Sequence, residues 1–520
     1  MDAMASQGRR AKILLELRPA LDRHAGIPQQ TRLLFRGLSL VEGITVEGLI
    51  QSSMNALGKG LPVNAVSEKM LPTHQRIDRL ARIVIMLEQR FLRSRISFIP
   101  ALLRRIVGAS ESLSLFDATR FRDFIWRRLF ARSLPPTDFD TVTSAGFRVV
   151  KTPWTAMHIC RAITRFVGIS AFPRLDTRDF DVMISETPYP GSVSSNTRLV
   201  VRYHDAIPLL MPHTISDRRH HQAFHYRALR QNVRDGAWFV CVSEATRKDL
   251  LSVFPEVESR SVTIHNIVSH DYFYEDSSSS RVPHVIAARL NPAVRQGSEE
   301  SVRSMVLGHE MLPNSQYLLM VSTIEPRKNH LSLLAAWERL RANSYPNLKL
   351  VLVGHLGWHQ KGTVSKFRPW LRRGEVYFLS DVPSPELRLL YRHARVTVCP
   401  SFAEGFDLTG IEAMMAGGVV VASDLPAHRE VFADAAEYFN PYSVDQMTAT
   451  IEAVIDSAGA HRRQELVRRG AEVARKYTYE AVLPQWSQFL MSLVAAEPRR
   501  VQEEAELKTD TLTDAIDKEA

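Results

Sequence analysis

Glu404 and Glu412 stand eight residues apart in the segment Ser401-Phe-Ala-Glu-Gly-Phe-Asp-Leu-Thr-Gly-Ile-Glu412. The apolar run 396–399 before them reads as a strand, and a helix is expected to begin near Leu408, with a glycine-bearing turn between the two. Backbone N–H groups at such a helix start can receive a phosphate or sugar hydroxyls. With Glu404 in the turn and Glu412 about a turn into the helix, both carboxylates can face one ligand. Taken alone, the two also fit a capping carboxylate and a solvated helix residue. Arg327 and Lys328 form a basic pair directly after one strand and before a helix, and an exposed basic turn is their plain alternative. His204 and Asp205 follow another strand, Glu186 ends a third, and Gly26, Gln29 and Gln30 lie in a loop after the first. Each of these has a structural reading too: a strand-end histidine, a proline-rich connection, an ordinary turn.

The elements that must position these residues alternate along the chain. In the first half, apolar runs at 12–17, 182–185, 199–203, 238–242 and 262–265 read as strands, and Ser243 reads as the N-cap of the helix that follows. A cleaner series follows at 317–322, 348–353, 376–379, 396–399 and 419–422, separated by helical stretches such as 331–340 with Leu333, Leu334 and Trp337 on one face. Continuous apolar strands between helices argue for parallel sheets covered on both faces. Ligands of such sheets sit at the carboxyl ends of the strands. The expected organisation is an N-terminal domain over 1–276 with a basic helical insertion near 80–135, a linker over 277–314, a C-terminal domain over 315–480, a helix over 481–496 packing back, and a disordered tail over 497–520.

The chain has 520 residues, 45% hydrophobic and 23% charged, which excludes disorder throughout and a single small module. Lys and Arg number 66 against 56 Asp and Glu, so an anionic partner is expected: nucleic acid, a membrane surface or a phosphorylated small molecule. Ten arginines lie between Arg90 and Arg132 against three acids, interleaved with aromatic and aliphatic residues. That pattern fits an amphipathic surface resting on anionic lipid, or a core-facing stripe with solvated arginines. No zinc-finger, RNP-like or KH-like motif accompanies it, so nucleic acid is not expected. Cys160, Cys241 and Cys399 are too far apart for a disulfide framework or a standard zinc cluster, which fits a reducing compartment. No signal-peptide-like run occurs in 1–12, and the apolar stretch 481–497 is interrupted by Pro484, Gln485 and Gln488. A cytoplasmic location is expected, or a peripheral one on the inner face of the cytoplasmic membrane.

The segment 401–424 resembles the Glu-x7-Glu signature of retaining GT-B glycosyltransferases of the family 4 type, with their C-terminal glycosyl transferase group 1 domain. The resemblance extends to Thr323-Ile-Glu-Pro-Arg-Lys-Asn329, to the strand ending at Gly354, to Phe378-Leu-Ser-Asp-Val382 and to Ser423-Asp-Leu-Pro-Ala-His-Arg-Glu430. It implies an α/β GT-B fold of two Rossmann-like, doubly wound domains facing a central cleft. By this resemblance, Glu412 accepts hydrogen bonds from ribose hydroxyls and Glu404 contacts the transferred sugar. The backbone of Gly405, Phe406, Asp407 and Leu408 approaches sugar and phosphates, and Val382 holds the base through its main chain. Arg327 and Lys328 would stabilise the departing diphosphate without a metal. His204, in what looks like the family's His-Asp loop with Asp205, would hydrogen-bond the donor sugar near the reacting carbon. Gly26, Gln29, Gln30, Asp205 and Glu186 fall on the acceptor side.

Three positions depart from the family's pattern. Thr323 stands where an arginine is frequent, Asp407 where glycine is common and Thr409 where proline is common. The activity implied is transfer of a hexose from a GDP- or UDP-hexose to a glycan or lipid-linked acceptor with retention of configuration, in bacterial-type surface polysaccharide assembly, with no cofactor and no metal. A non-enzymatic nucleotide-sugar or glycan-binding protein, and a sugar-nucleotide epimerase of the same fold, are the alternatives.

Overall fold

The computed structural model describes residues 10–21, 26–63, 71–88, 99–106, 108–164, 172–216, 218–290, 316–358 and 360–496. The expected tail over 497–520, most of the expected linker, and Arg90, Arg93 and Arg95 of the basic belt lie outside these residues.

The strands of the first half are β1 (Ala11–Glu16), β2 (Ile44–Ile50), β3 (Glu111–Ser112), β4 (Ser114–Leu115), β5 (Gly146–Val149), β6 (Leu175–Asp176), β7 (Val182–Ser185), β8 (Arg198–Tyr203), β9 (Trp238–Cys241) and β10 (Ser261–Thr263). Eight of them form one sheet in the order β10-β9-β8-β7-β1-β2-β5-β4, parallel except at β4, while β3 and β6 pair separately. The second half contributes β11 (Tyr317–Val321), β12 (Lys349–Val353), β13 (Val376–Leu379), β14 (Val396–Cys399), β15 (Val420–Ser423) and β16 (Ala436–Phe439). These form a wholly parallel sheet in the order β13-β12-β11-β14-β15-β16.

Alternation of side chains explains why both sheets are apolar throughout. In β11 and β12, Tyr317, Leu319, Val351 and Val353 enter one buried cluster while Leu318, Met320, Leu350 and Leu352 enter another on the opposite face. In β1, Ile13 and Leu15 face one cluster and Leu14 the other. The chain thus folds as two doubly wound α/β layers, the GT-B arrangement expected from its sequence.

Six strands escape a reading by apolar runs: β3, β4 and β6, of two residues each, and the longer β2, β5 and β16. Glu47 and Gly48 interrupt β2, Arg148 interrupts the four-residue β5, and β16 is half-exposed at Glu437 and Tyr438. A Cβ at Gly48 would lie 2.3 Å from the end of the Leu17 side chain, which would have to shift to admit it. The stretch beginning at Ser277 also differs from the expected linker. It carries the helix Val282–Arg289, whose Val282, Val285 and Ile286 join the second half's core and whose Arg289 forms a bidentate pair with Glu386 at 2.6 and 2.8 Å. At the other end, the helix Tyr479–Ala495 returns to the first half and buries Val482, Trp486, Leu490 and Leu493 against β1 and the helix Ile27–Leu38.

In the described part of the basic belt, Leu129 and Phe130 are core residues, and Phe121, Phe124 and Trp126 pack against that core. Arg104 pairs with Glu111, Arg122 with Asp140 and Arg127 with Asp123. Among the described residues, no helix is long and apolar enough to cross a membrane.

Candidate active site

The loops at the carboxyl ends of the strands converge on one cleft of about 1320 Å³ between the halves. β14 delivers Glu404 to Glu412, β11 delivers Arg327 and Lys328, β13 delivers Val382, and β8 delivers His204 and Asp205. Gly26 and Gln29 open the helix Ile27–Leu38 that follows β1. Except for Glu186, every sequence-predicted site residue lines this cleft.

Its centre is a charge cluster. Glu404 receives Lys328 Nζ at 2.5 Å on Oε1 and Arg327 Nη1 at 2.7 Å on Oε2. Arg327 also donates to the Ala403 carbonyl at 2.7 Å and to Glu325 Oε1 at 2.8 Å. Burial pushes the Glu404 carboxyl up, but the two cations outweigh it and hold it below the usual carboxylate range. Glu325 also meets Arg327, yet burial outweighs that cation and raises its carboxyl. The guanidinium of Arg327 is buried, yet Glu404 and Glu325 hold its proton more firmly than water would.

Glu412 lies in the helix Leu408–Met415 and is almost wholly buried. Gln29 Nε2, from the other half of the molecule, donates to its Oε1 at 3.0 Å, and the Tyr391 hydroxyl donates to its Oε2 at 3.2 Å. With no cation beside it among the described residues, burial pushes its carboxyl up to about 7 despite these bonds. The two glutamates of one motif therefore sit in opposite electrostatic settings.

Asp407 is the N-cap of that helix and has φ 70°, ψ 83°, a left-handed conformation that explains why glycine suits this position. Its side chain is almost wholly buried. It turns inward to accept from Thr409 N at 3.2 Å and to meet His428 Nε2 at 3.1 Å. Burial pushes its carboxyl up, but the bond with His428 and the nearby Lys328 together drive it well below the usual range. The two departures from the family's pattern are thus coupled. A proline at 409 has no N–H to give, so the Asp407 cap and Thr409 belong together.

Across the cleft, His204 Nε2 lies 3.1 Å from Glu186 Oε2, and burial depresses the imidazole's proton affinity. Glu186 is fully buried behind His204 and touches Arg202 at 3.4 Å, so it positions the histidine instead of lining the acceptor side as expected. Gln30 lines the cleft, but its amide is committed to the protein. Its amide donates to the Ile267 carbonyl at 2.7 Å and accepts from Ile267 N and Arg202 Nη2, both at 3.0 Å, which leaves it a structural tie. Asp205 accepts from Ile207 N at 3.0 Å and caps the turn after β8. A Cβ on Gly405 would lie 1.8 Å from the His204 carbonyl, so only glycine lets the two halves meet here.

Sequence reasoning passed over Tyr391, Tyr272, His428 and Glu430. Glu430 bridges the halves by accepting from Glu244 N at 2.7 Å and Ala245 N at 2.9 Å. Its position two residues after His428 in the quoted flank was the available signal.

The profile of the family described as "Glycosyl transferases group 1" matches residues 309–473. The chain is 29% identical over 255 residues to "O-antigen chain mannosyltransferase B" of Escherichia coli, covering 49% of this chain and 60% of that protein. The chain thus spans less than two thirds of that relative's length. Among solved structures it resembles a sucrose-phosphate synthase from Thermosynechococcus elongatus, with TM-score 0.53 and 15% identity over 94% of this chain and 100% of the other. HepE of Anabaena, solved in complex with UDP, gives TM-score 0.53 and 12% identity over 93% and 100%. These likenesses establish the fold. Residues 309–473 are accordingly a glycosyl transferases group 1 domain, and the chain that carries it has the two-domain GT-B fold.

Proposed function

We propose that the protein transfers a hexose, mannose first among candidates, from a GDP- or UDP-sugar to a glycan or lipid-linked acceptor with retention of configuration, in surface polysaccharide assembly. The observation that carries the reading is the Arg327–Lys328–Glu404 cluster facing His204 across one cleft. Mannose is favoured by the name of the Escherichia coli relative, a mannosyltransferase.

Residues 315–480 hold the donor in this reading and 1–276 the acceptor. Glu412 accepts from the ribose hydroxyls, and donor binding displaces the Gln29 amide that now occupies Oε1. The base lies against the Val382 main chain. Lys328 and Arg327 exchange part of their bonding to Glu404 for the donor's diphosphate, and Glu404 turns to the sugar hydroxyls. As the bond from the anomeric carbon to the diphosphate oxygen breaks, the two fixed cations stabilise the growing negative charge, which supports chemistry without a metal. The acceptor hydroxyl forms its bond to the same carbon on the same face, and its proton passes to the departing diphosphate. His204 lies near the reacting carbon. The exposed Ile99 and Leu103 on the arginine-bearing helix Ile99–Ile106 support a peripheral contact of the basic belt with an anionic cytoplasmic-face membrane.

Incubation with GDP-mannose and a panel of UDP-hexoses, with and without mannosyl-glycan and lipid-linked acceptors, tests the reading. Acceptor-dependent release of nucleoside diphosphate and an α-linked product by NMR are expected from an α-linked donor. Tight donor binding without turnover identifies a binding protein instead, and a 2-epimer formed without acceptor identifies an epimerase.

A further inference from the structure

The donor reading leaves one end of the cleft unused. Its 1320 Å³ exceeds the roughly 300–1,000 Å³ that holds one small ligand, and the first-half end is lined by Arg128, Arg132, Met54, Met86 and Leu87. Arg128 and Arg132 are four residues apart at a π-helical turn, Trp126–Phe130, closed by the Ala131 N–H donating to the Trp126 carbonyl at 2.8 Å. Such turns are rare and concentrate at functional sites.

This one is held rigidly from beneath. Leu129 and Phe130 are core residues, and the fully buried Arg32 donates to the Leu129 carbonyl at 2.5 Å and to Ser133 Oγ at 2.8 Å. Arg128 donates from Nη2 to the Leu87 carbonyl at 3.3 Å, while its Nε is buried with no hydrogen-bond partner among the described residues. Glu88, which also lines this end, forms a loose ion pair with that Nε at 3.8 Å, longer than a hydrogen bond. Two guanidinium groups at one end of a cleft suit the oxygens of a phosphate. Met54, Met86 and Leu87 beside it suit a hydrocarbon.

We infer that this end of the cleft binds a lipid phosphate or diphosphate through Arg128 and Arg132, the anchor of a lipid-linked acceptor. That the lipid phosphate belongs to the acceptor rests on the glycosyltransferase reading; the anion site itself does not.

Calorimetric titration of the full chain, saturated with the nucleoside diphosphate it binds, reads the site with citronellyl diphosphate as probe. Citronellol and inorganic pyrophosphate are the controls. The expected result is binding of citronellyl diphosphate at least tenfold tighter than pyrophosphate and no binding of the alcohol. The Arg128→Gln/Arg132→Gln protein should lose at least tenfold in affinity while keeping the parent's melting temperature and nucleotide binding. Equal binding of pyrophosphate makes the ligand free phosphate and overturns the lipid assignment. Preference for an alkyl hexuronide makes the anion a carboxylate and overturns the phosphate assignment. Unchanged affinity in the double variant overturns the site. If no nucleoside diphosphate binds but citronellyl diphosphate does, and the double variant loses it, the donor reading fails and the anion site stands.

Discussion

Replacing Glu412 by glutamine should make the protein more stable at pH 8 and less active. The Glu412 carboxyl is buried among Gln29, Tyr391 and Tyr272, and burial lifts it from 4.5 to about 7. Between those two values the folded protein keeps a proton that the unfolded chain releases, so stability falls as pH rises through this window and the whole deficit is present above it. The gap corresponds to about 3 kcal/mol. Glutamine fills the same space, can keep partners with Gln29 and Tyr391, and has no charge to bury. Glu412→Gln is therefore expected to stabilise by about 3 kcal/mol at pH 8 and by under about 1 kcal/mol at pH 5. In a domain of this size that is a rise in melting temperature of roughly 6–12 °C at pH 8. Differential scanning calorimetry at both pH values measures it, and transfer assays on the same samples should show lost donor affinity. A melting temperature at pH 8 no higher than the parent's, or an equal change at both pH values, would refute the electrostatic argument.

Lys328→Ala should reduce transfer by about 100-fold to 1,000-fold, the usual cost of removing one fixed donor to a developing charge; single-turnover rates check it, and a loss under threefold would remove Lys328 from the mechanism. Gly405→Ala places a Cβ 1.8 Å from the His204 carbonyl. The halves must then part by about 1 Å or more, and turnover should fall on the order of 100-fold with each half still folded, as circular dichroism would show. Asp407→Gly and Thr409→Pro should each destabilise alone but cost less together than their sum, with a coupling of about 0.5–3 kcal/mol in a double-mutant cycle read by denaturant unfolding.

The second half was the more legible because its strands are continuous apolar runs, and burial on both faces requires that. β2 and β5 were hidden because Glu47 and Arg148 pair with each other across the ladder at 2.6 Å, a contact between residues that no local pattern links. Arg327, Lys328 and Glu404 were readable as candidate residues from strand-end positions together with the family resemblance, but the pairing of both cations with Glu404 was not. The partnership of Gln29 with Glu412 was not, since it spans 383 positions and depends on how two independently folded layers meet. Asp407 shows the same limit on a local scale. Its letter places a charge in the donor loop without saying where it points, and its backbone conformation, which only the structure reveals, turns that charge into a cap.

The way those layers meet also determines what can move. At the front, the seam is polar: Ser243 Oγ and Thr246 Oγ1 donate to the Gly405 carbonyl at 2.6 and 3.2 Å, Glu430 sits on the N-terminus of the helix Glu244–Val253, and Trp358 Nε1 donates to the Thr214 carbonyl at 2.8 Å. Water can replace each of these bonds, and a typical one contributes only about 0.5–1.5 kcal/mol net. At the back, the chain crosses between halves twice, and at both crossings one residue belongs to one core and a near neighbour to the other: Ile267 and Val268, then Tyr479 and Tyr477. The two crossings are tied together by Val268 N donating to the Tyr477 carbonyl at 2.7 Å. Opening the cleft about this tie breaks the polar seam and the burial of Val242 in the second half's core, and leaves the rest of both apolar cores in place. A site whose cations come from one half and whose histidine comes from the other can therefore admit a donor and release a diphosphate without unfolding either half.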